Sequence, residues 1–188
     1  LAYDRCSVGI VTNIAPDEED LSRWDVQPTG GEYYTTPRSI YRTQVDVVLP
    51  SGHAVLNAED ELVADFAELC DGEVIFFAVD PANPVLVAHL AAGKRGVTVA
   101  DNRIVLRSGS DETRLCRLID APYIGKAKQA KHIANVLAGI AAGWALGLSQ
   151  EVMTTGLKTF GLELADPASL ILSPAKKSQP KKPATARK

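Results

Sequence analysis

The polar residues that follow the first apolar stretch of the chain are the first candidates for a functional site. In the segment GIVTNIAPDEEDL (9–21), a β-branched run ends at Asn13, and a turn with Pro16 and Asp17 follows. In α/β enzymes, the end of a strand presents such side chains to a ligand crevice. An acidic cluster without histidine comes next, at residues 18–20. The segment is therefore a working site, a damaged one or a solvated turn, and the residues alone leave the three open.

Three further polar residues lie where helices are predicted to begin. Asn57 and Asp60 follow a short apolar strand, and Asn57 as the N-cap with Asp60 at the third helical position accounts for both structurally. Asn135 precedes the apolar face of a long predicted helix, where a first-turn polar residue needs no ligand. Spacing alone therefore favours a structural role for Asn57 and Asp60.

Common catalytic and metal-binding signatures are missing from the sequence. It contains no G-x-x-x-x-G-K-[ST] phosphate loop, no G-x-S-x-G nucleophile elbow and no H-E-x-x-H zinc motif. Cys6, Cys70 and Cys116 are widely spaced without a C-x-x-C pair, and the histidines are equally scattered. This pattern predicts reduced thiols in a cytoplasmic protein rather than a disulfide framework or a zinc site.

The charge of the chain is unevenly distributed. The formal net charge is −3, but the tail 174–188 carries six Lys/Arg residues and no acidic residue, which leaves −9 for the rest. Because so acidic a surface repels phosphates, nucleic-acid binding by the body is disfavoured. The tail could bind acidic polymers or serve only solubility. The apolar stretch 133–148 is too short to span a bilayer and holds three glycines, so we predict a buried helix and no membrane partner.

The order of the predicted elements indicates an α/β fold, with a mostly parallel sheet flanked by helices. A small β-hairpin insertion is predicted, and residues 18–42 show no clean helix or strand period. We expect one domain over residues 1–165 and a disordered basic tail over 166–188. The predicted strands are 7–14, 44–49, 54–56, 73–79, 97–99, 104–106 and 114–119, and the predicted helices open at Asn57 or cover 85–92, 129–146 and 151–160.

Several separated motifs resemble the central domain of the Mur ligase superfamily, and within it cyanophycin synthetase most of all. They occur in the family's order and cover well over half of the chain. The motifs are LAYDRCSVGIVTNIAPD (1–17), RTQVDVVLPSGHAVLNAEDELV (42–63), AELCDGEVIFF (67–77), NVLAGIAAGWALGL (135–148) and GLKTF (156–160).

The resemblance implies ATP-dependent amide-bond formation. In this family ATP phosphorylates a carboxylate, and an amine attacks the acyl phosphate while Mg²⁺ neutralises the phosphate charge. Cyanophycin synthetase builds an aspartate/arginine polymer, and its Mur-like half is associated with adding arginine to the aspartate side chain. ATP, Mg²⁺ and the polymer are thus implied for the full-length family, and residues 1–188 by themselves need bind no cofactor.

The resemblance also assigns roles to individual residues, none of them catalytic. The family's Asp-His pair appears here as Asp17 and Glu18, so Asp17 is the implied metal ligand and Glu18 is a departure. A carboxylate can also bind Mg²⁺. The family's Gly-Arg linker does not follow Phe160. Asn135 is implied to contact adenine. The nucleotide-binding positions implied by the resemblance are Asn13, Asn57, Asp60 and Asn135.

Together these features predict a fragment of a cyanophycin synthetase-like ligase. The fragment is a partial ATP-binding central domain without its P-loop, and we expect it to be inactive alone. A complementing ligase chain would then be its partner. The alternative is a degenerate, non-catalytic domain that retains nucleotide or partner binding. A less favoured hypothesis is a nucleic-acid-associated protein that uses the basic tail.

Overall fold

The computed structural model describes residues 5–14, 37–127 and 130–160. Two short 3₁₀ turns, Asp65–Leu69 and Leu118–Asp120, accompany the regular elements. The strands are β1 (Cys6–Val11), β2 (Val48–Asn57), β3 (Glu73–Ala78), β4 (Arg95–Ala100), β5 (Arg103–Ser108) and β6 (Asp111–Arg117). The helices are α1 (Pro37–Asp46), α2 (Glu61–Ala64), α3 (Pro84–Ala91), α4 (Pro122–Ala127), α5 (Ala130–Ala145) and α6 (Gln150–Thr159).

The six strands form one sheet in the order β1-β2-β3-β4-β5-β6. The strands β1 to β4 are parallel, and β5 and β6 extend the sheet as an antiparallel meander. At the β4–β5 turn, Asp101 and Asn102 both have positive φ, which suits a tight hairpin. The predicted α/β fold with a mostly parallel sheet and a hairpin is therefore confirmed.

Two hydrophobic clusters cover the two faces of the sheet. On one face, Val55, Phe77 and Val97 pack with the side chains of α5 and α6. On the other, Leu56 and Phe76 pack with residues of α1, α2 and α3. Because both faces are covered, β3 is apolar along nearly its whole length, as parallel strands between helix layers are. This packing fixes the strand ends that carry the candidate site.

The region before β2 differs from the prediction. Residues 44–46, predicted as strand, belong to α1, where Val45 is fully buried and Arg42 pairs with Asp46 one turn along at 2.9 Å. The predicted turn PSGH lies inside one continuous strand, β2, whose register against β1 shifts between Cys6 and Val8. The residues PSGH have the composition of a turn, and a sequence pattern alone does not distinguish a turn from a bulge within a strand.

The edge strand β1 is less buried than its apolar sequence predicted. Its side chains alternate, and Ile10 is 41% exposed. The reason is that α5 packs mainly over β2, β3 and β4, so it covers β1 only in part. Three predictions about the helices are confirmed. Helices α5 and α6 lie close to their predicted ranges, and Ser149 caps α6 by accepting from the Val152 amide at 3.3 Å. The helix α4 was not predicted.

All three cysteines within the described residues are free, and burial raises the pKa of each thiol. In the ranges that the structure describes, no helix combines the length and apolar character needed to cross a membrane. The predicted helix near residues 133–148 is α5, and it packs against the sheet.

A buried histidine makes the stability of this fold depend on pH. His89 on α3 is 8% exposed, and its Nε2 atom donates to the Val74 carbonyl oxygen at 3.1 Å. Desolvation lowers the pKa of His89 below its ordinary value, so the unfolded chain binds the proton more readily than the folded one. The stability supplied by neutral His89 is complete above the unfolded pKa and is lost as the pH falls from there through the lower folded pKa.

We therefore expect urea unfolding to show lower stability at pH 5.5 than at pH 7.5, with a slope of at most about 1.4 kcal/mol per pH unit from this one group. In His89→Gln, this slope should flatten, whatever the absolute stability of the variant. An unchanged slope in the variant would assign the pH dependence to another group.

Candidate functional site

The candidate site lies where the parallel strands β1, β2 and β3 end. Asn57, the last residue of β2, is 9% exposed, and its Nδ2 atom donates to the Thr12 carbonyl oxygen at 2.9 Å. Its Oδ1 atom accepts from the Glu59 amide at 2.9 Å. The amide thus ties the end of β1 to the turn after β2. Both of its polar groups are engaged within the fold, which supports a structural role.

Asp60 connects the same turn to β1 in a second way. Its Oδ2 atom accepts from the Ile14 amide at 2.9 Å, and its Oδ1 atom accepts from the amides of Leu62 and Val63 at 3.1 and 3.2 Å. Asp60 is therefore the N-cap of α2, and the prediction that Asn57 is the cap was wrong. Asn57 remains in β2 because its side chain bonds across to β1.

Two residues of this edge escaped the sequence reasoning. The Oε1 atom of Glu59 accepts from the amides of Val79 and Asp80 just after β3, at 3.0 and 2.9 Å. Asn83 caps α3 and also donates from Nδ2 to the Ala58 carbonyl oxygen at 3.1 Å. The Asn-Pro pair at 83–84 is a recognisable cap signal, whereas nothing in the sequence marks the contact of Glu59. These two residues join the ends of β2 and β3, and the contacts of Asn57 and Asp60 join the end of β1 to the same turn.

Asn13 and Asp17 are the two predicted site residues that follow the first strand. Asn13 lies two residues beyond β1, between two residues whose backbones are held by Asn57 and Asp60, and its own side chain is exposed. It is the residue of this edge best placed to contact a ligand. Asp17, the implied metal ligand, lies outside the described residues. Among the described residues, no group of three or more His, Cys, Asp or Glu side chains could hold a metal ion.

Asn135 lies on α5, apart from the Asn57–Asp60 turn but toward the same edge of the sheet. The far end of α5 is fixed at the amino end of β4, because Arg95 packs 4.9 Å from the centre of the Trp144 ring. The helix runs antiparallel to the strands, so its first half points toward their carboxyl ends. Asn13, Asn57 and Asp60 are thus grouped at the carboxyl ends of the strands, whereas Asn135 lies apart from them on α5.

Asn135 lines a cavity of about 510 Å³ between α5 and α6. Gly139 and Gly143 follow Asn135 at intervals of four residues on the same face of α5, and since they have no side chains they leave space for the cavity along this helix. At the cavity the Tyr123 ring packs edge-on against Phe160, with 5.0 Å between ring centres, and Phe160 is 63% exposed. The walls are mainly apolar, and the lining residues are Tyr123, Asn135, Val136, Gly139, Ile140, Gly143, Leu148, Val152, Met153, Gly156, Leu157 and Phe160.

The aromatic part of this cavity carries its own polar contacts. The Tyr123 hydroxyl lies 3.3 Å from Nδ1 of His132, one turn before Asn135. Outside this lining, after β6, Arg117 bonds Asp120 through two nitrogens at 2.9 Å each, and this contact lowers the pKa of Asp120. Among the described residues, the lining of the cavity therefore offers aromatic surface and one primary amide, and it contains no carboxylate. Such a lining suits a neutral, planar ligand with hydrogen-bonding edges.

Comparison with known proteins connects this architecture to a family. The chain is 33% identical over 160 residues to a cyanophycin synthetase from Synechocystis sp., covering 85% of this chain and 18% of that protein. Against the cyanophycin synthetase of Crocosphaera subtropica, it is 30% identical over 162 residues, with the same two coverages. A UDP-N-acetylmuramoylalanine–D-glutamate ligase from Symbiobacterium thermophilum is 30% identical over 149 residues, or 78% of this chain and 29% of that enzyme. No protein-family model matches the sequence.

The six-stranded α/β fold and the matches to two kinds of ligase define a Mur ligase-like domain. Within that class, the chain is a relative of the cyanophycin synthetases and corresponds to their Mur ligase-like part. It spans less than a fifth of the length of the cyanophycin synthetases that it matches, 18% in the first of these comparisons.

Proposed function

We propose that this chain forms the base-binding side of the nucleotide site in an ATP-dependent amide ligase. The observation that carries the proposal is the cavity of about 510 Å³ with Asn135 in its lining. A primary amide can donate to and accept from the edge of adenine at once. The rings of Tyr123 and Phe160 offer surface for its flat face.

The residues around the cavity fit an adenine base. The sequence and the described residues do not supply the groups that would hold the phosphates and the metal. The sequence has no phosphate-loop motif, and the described residues offer no cluster of metal ligands. When bound, ATP supplies the phosphoryl group that activates a carboxylate, and Mg²⁺ offsets its charge. In this proposal the residues 1–188 hold and orient the base, and a phosphate-binding loop comes from elsewhere.

We further propose that the ligase reaction is arginine addition to a poly-aspartate backbone in the cytoplasm, as a relative of cyanophycin synthetase would perform it. The partner that completes the site is a segment or chain carrying the phosphate loop. Within the described residues β1 is the last strand of the sheet, and this position supports an additional element beside it. The alternative remains a non-catalytic domain that keeps nucleotide or partner binding.

The proposal predicts that purified residues 1–188 have no ligase activity by themselves. Phosphoryl transfer depends almost entirely on positioning and charge stabilisation of the phosphates, which a phosphate loop provides. The measurement is ATP-dependent incorporation of labelled arginine into a cyanophycin primer. Incorporation by the purified chain, at a rate proportional to its concentration, would show that the phosphate site is complete within these residues.

The base-binding role predicts weak, base-selective binding. We expect adenosine to bind and guanosine to bind about tenfold more weakly, since the Asn135 amide matches only one pattern of donors and acceptors. Asn135→Ala should weaken adenosine binding by about tenfold, which corresponds to one lost pair of hydrogen bonds. Isothermal titration calorimetry or ligand-observed NMR measures both.

Gln150→Ala is the matched control, because Gln150 is an exposed amide on α6 outside this cavity. It should bind adenosine like the unmodified chain. Equal affinity of adenosine for Asn135→Ala and the unmodified chain would refute the base-binding role. Because ATP and adenosine share the base, ATP should bind no more than a few-fold better than adenosine, and much tighter ATP binding would place a phosphate site within residues 1–188.

A further inference from the structure

A second cavity lies at the opposite edge of the sheet, beside the amino end of β4. Ser108 at the end of β5 pairs with Arg95 at the start of β4, which places the β5–β6 turn at this edge. The cavity has a volume of about 660 Å³. One wall is the apolar side of α3, and the lining residues are Val87, Leu90, Ala91, Gly93, Arg107, Ser108, Gly109 and Ser110.

Arg107 is the cation of this lining, and its guanidinium has no acidic partner within the described residues. Its Nε atom is buried there without a hydrogen-bond acceptor. Glu112 faces it across the strand pair but bonds Nε of Arg114 instead, at 2.8 Å. Four other arginines of the described residues are paired: Arg42 with Asp46, Arg95 with Glu73, Arg114 with Glu112, and Arg117 with Asp120.

A buried guanidinium N–H without an acceptor is destabilising, because it has lost its hydrogen bond to water and gained none in the protein. An acceptor supplied by a ligand removes that cost. The rest of the lining favours an anion, because Ser108 and Ser110 add two hydroxyl donors and none of the described residues that line the cavity is an Asp or a Glu. Gly109, with φ of +59°, forms a tight turn whose amide donates to the Lys94 carbonyl oxygen at 3.0 Å.

We propose that this cavity binds an oxyanion, a phosphate or carboxylate group, through the Arg107 guanidinium and the serine hydroxyls. The planar guanidinium group of arginine can donate two parallel hydrogen bonds to either a phosphate or a carboxylate. Val87, which is 48% exposed on α3, gives the body of a small ligand an apolar surface to lie on. The site lies at the edge opposite Asn57 and does not depend on the proposed nucleotide function.

The test is an NMR titration of the full chain with inorganic phosphate and, separately, with acetate, at constant ionic strength. The Arg107 Nε–H signal reports the buried donor directly. We expect saturable shifts of that signal and of the Gly109 and Ser110 amides, and the anion with the lower dissociation constant identifies the favoured group. Arg107→Gln should abolish saturation, and Arg107→Lys should weaken it by about tenfold, because lysine keeps the charge without the planar guanidinium group.

Arg103→Gln is the matched control, since Arg103 lies on the same strand but outside the cavity lining. It should leave the titration unchanged. Linear shifts that do not saturate, or equal shifts in Arg107→Gln, would overturn the proposal. Should Arg107→Gln fail to fold, the Nε–H signal of the unmodified chain and the Arg107→Lys variant still decide the outcome.

Discussion

Replacing Gly9 with alanine should destabilise the domain by about 3 kcal/mol or more, the upper range for overpacking. Gly9 lies in the middle of β1, where α1 crosses it. A Cβ atom at this position would overlap the backbone carbonyl oxygen of Gln44 and approach Cγ2 of Val48 to 2.8 Å. A carbonyl group inside a helix cannot turn aside as a flexible side chain can. Accommodating the methyl group therefore requires α1 to move off the sheet.

Gly139→Ala is the matched control for this substitution. A Cβ atom at Gly139 meets nothing within 4 Å, and the residue lies inside α5. Alanine there should stabilise the chain by about 0.5–1 kcal/mol, because glycine is a poor helix former. Denaturant unfolding of both variants gives the difference. If Gly9→Ala unfolds within about 0.5 kcal/mol of the unmodified chain, the normal range for a harmless surface change, α1 does not pack on β1 as described.

Asp60→Ala should cost about 2–4 kcal/mol, the second large effect expected. The substitution removes the α2 cap, worth about 1 kcal/mol, and leaves the partly buried Ile14 amide without its acceptor, worth about 1–3 kcal/mol. Asp60→Asn keeps one acceptor oxygen and loses the other. The free energy of unfolding should therefore be highest for the unmodified chain, lower for Asp60→Asn and lowest for Asp60→Ala.

Hydrogen exchange of the Ile14 amide separates the two contributions. We expect Ile14 to lose its protection in both Asp60 variants, whereas the first amides of α2 lose protection mainly in Asp60→Ala. Adenosine binding should weaken as well if Asn13 contacts the ligand, because Asp60 holds the residue that follows Asn13. Equal stability of Asp60→Asn and Asp60→Ala would show that the oxygen kept in the asparagine variant contributes nothing.

The sequence was most informative where one local rule decides the structure. The long helix α5, the hairpin between β4 and β5 and the Ser149 cap follow from spacing, turn residues and capping chemistry alone. The fold class also followed, because alternating strands and helices leave few arrangements open. Candidate residues at the strand ends could be identified for the same reason, since parallel strands present their carboxyl ends at one edge.

The remaining features depend on contacts between residues far apart in the chain. Asn57 and Asp60 are both good caps, and the contacts of Asp60 with Ile14 and of Asn57 with Thr12, which is 45 residues away, decide which one caps α2. The polar stretch before β2 folds as α1 because Val45 becomes buried against the sheet. The partner-free Nε of Arg107 is likewise visible only once Glu112 has been seen to bond Arg114.

We propose that an adenine base lies between α5 and α6 beside Asn135. Intermolecular nuclear Overhauser effects between adenosine and the chain test it most directly. We predict contacts from the adenine H2 and H8 protons to the ring protons of Tyr123 and Phe160, together with shifts of the Asn135 side-chain amide. Contacts to other residues alone, or saturating adenosine binding without any contact to these three, would contradict the account.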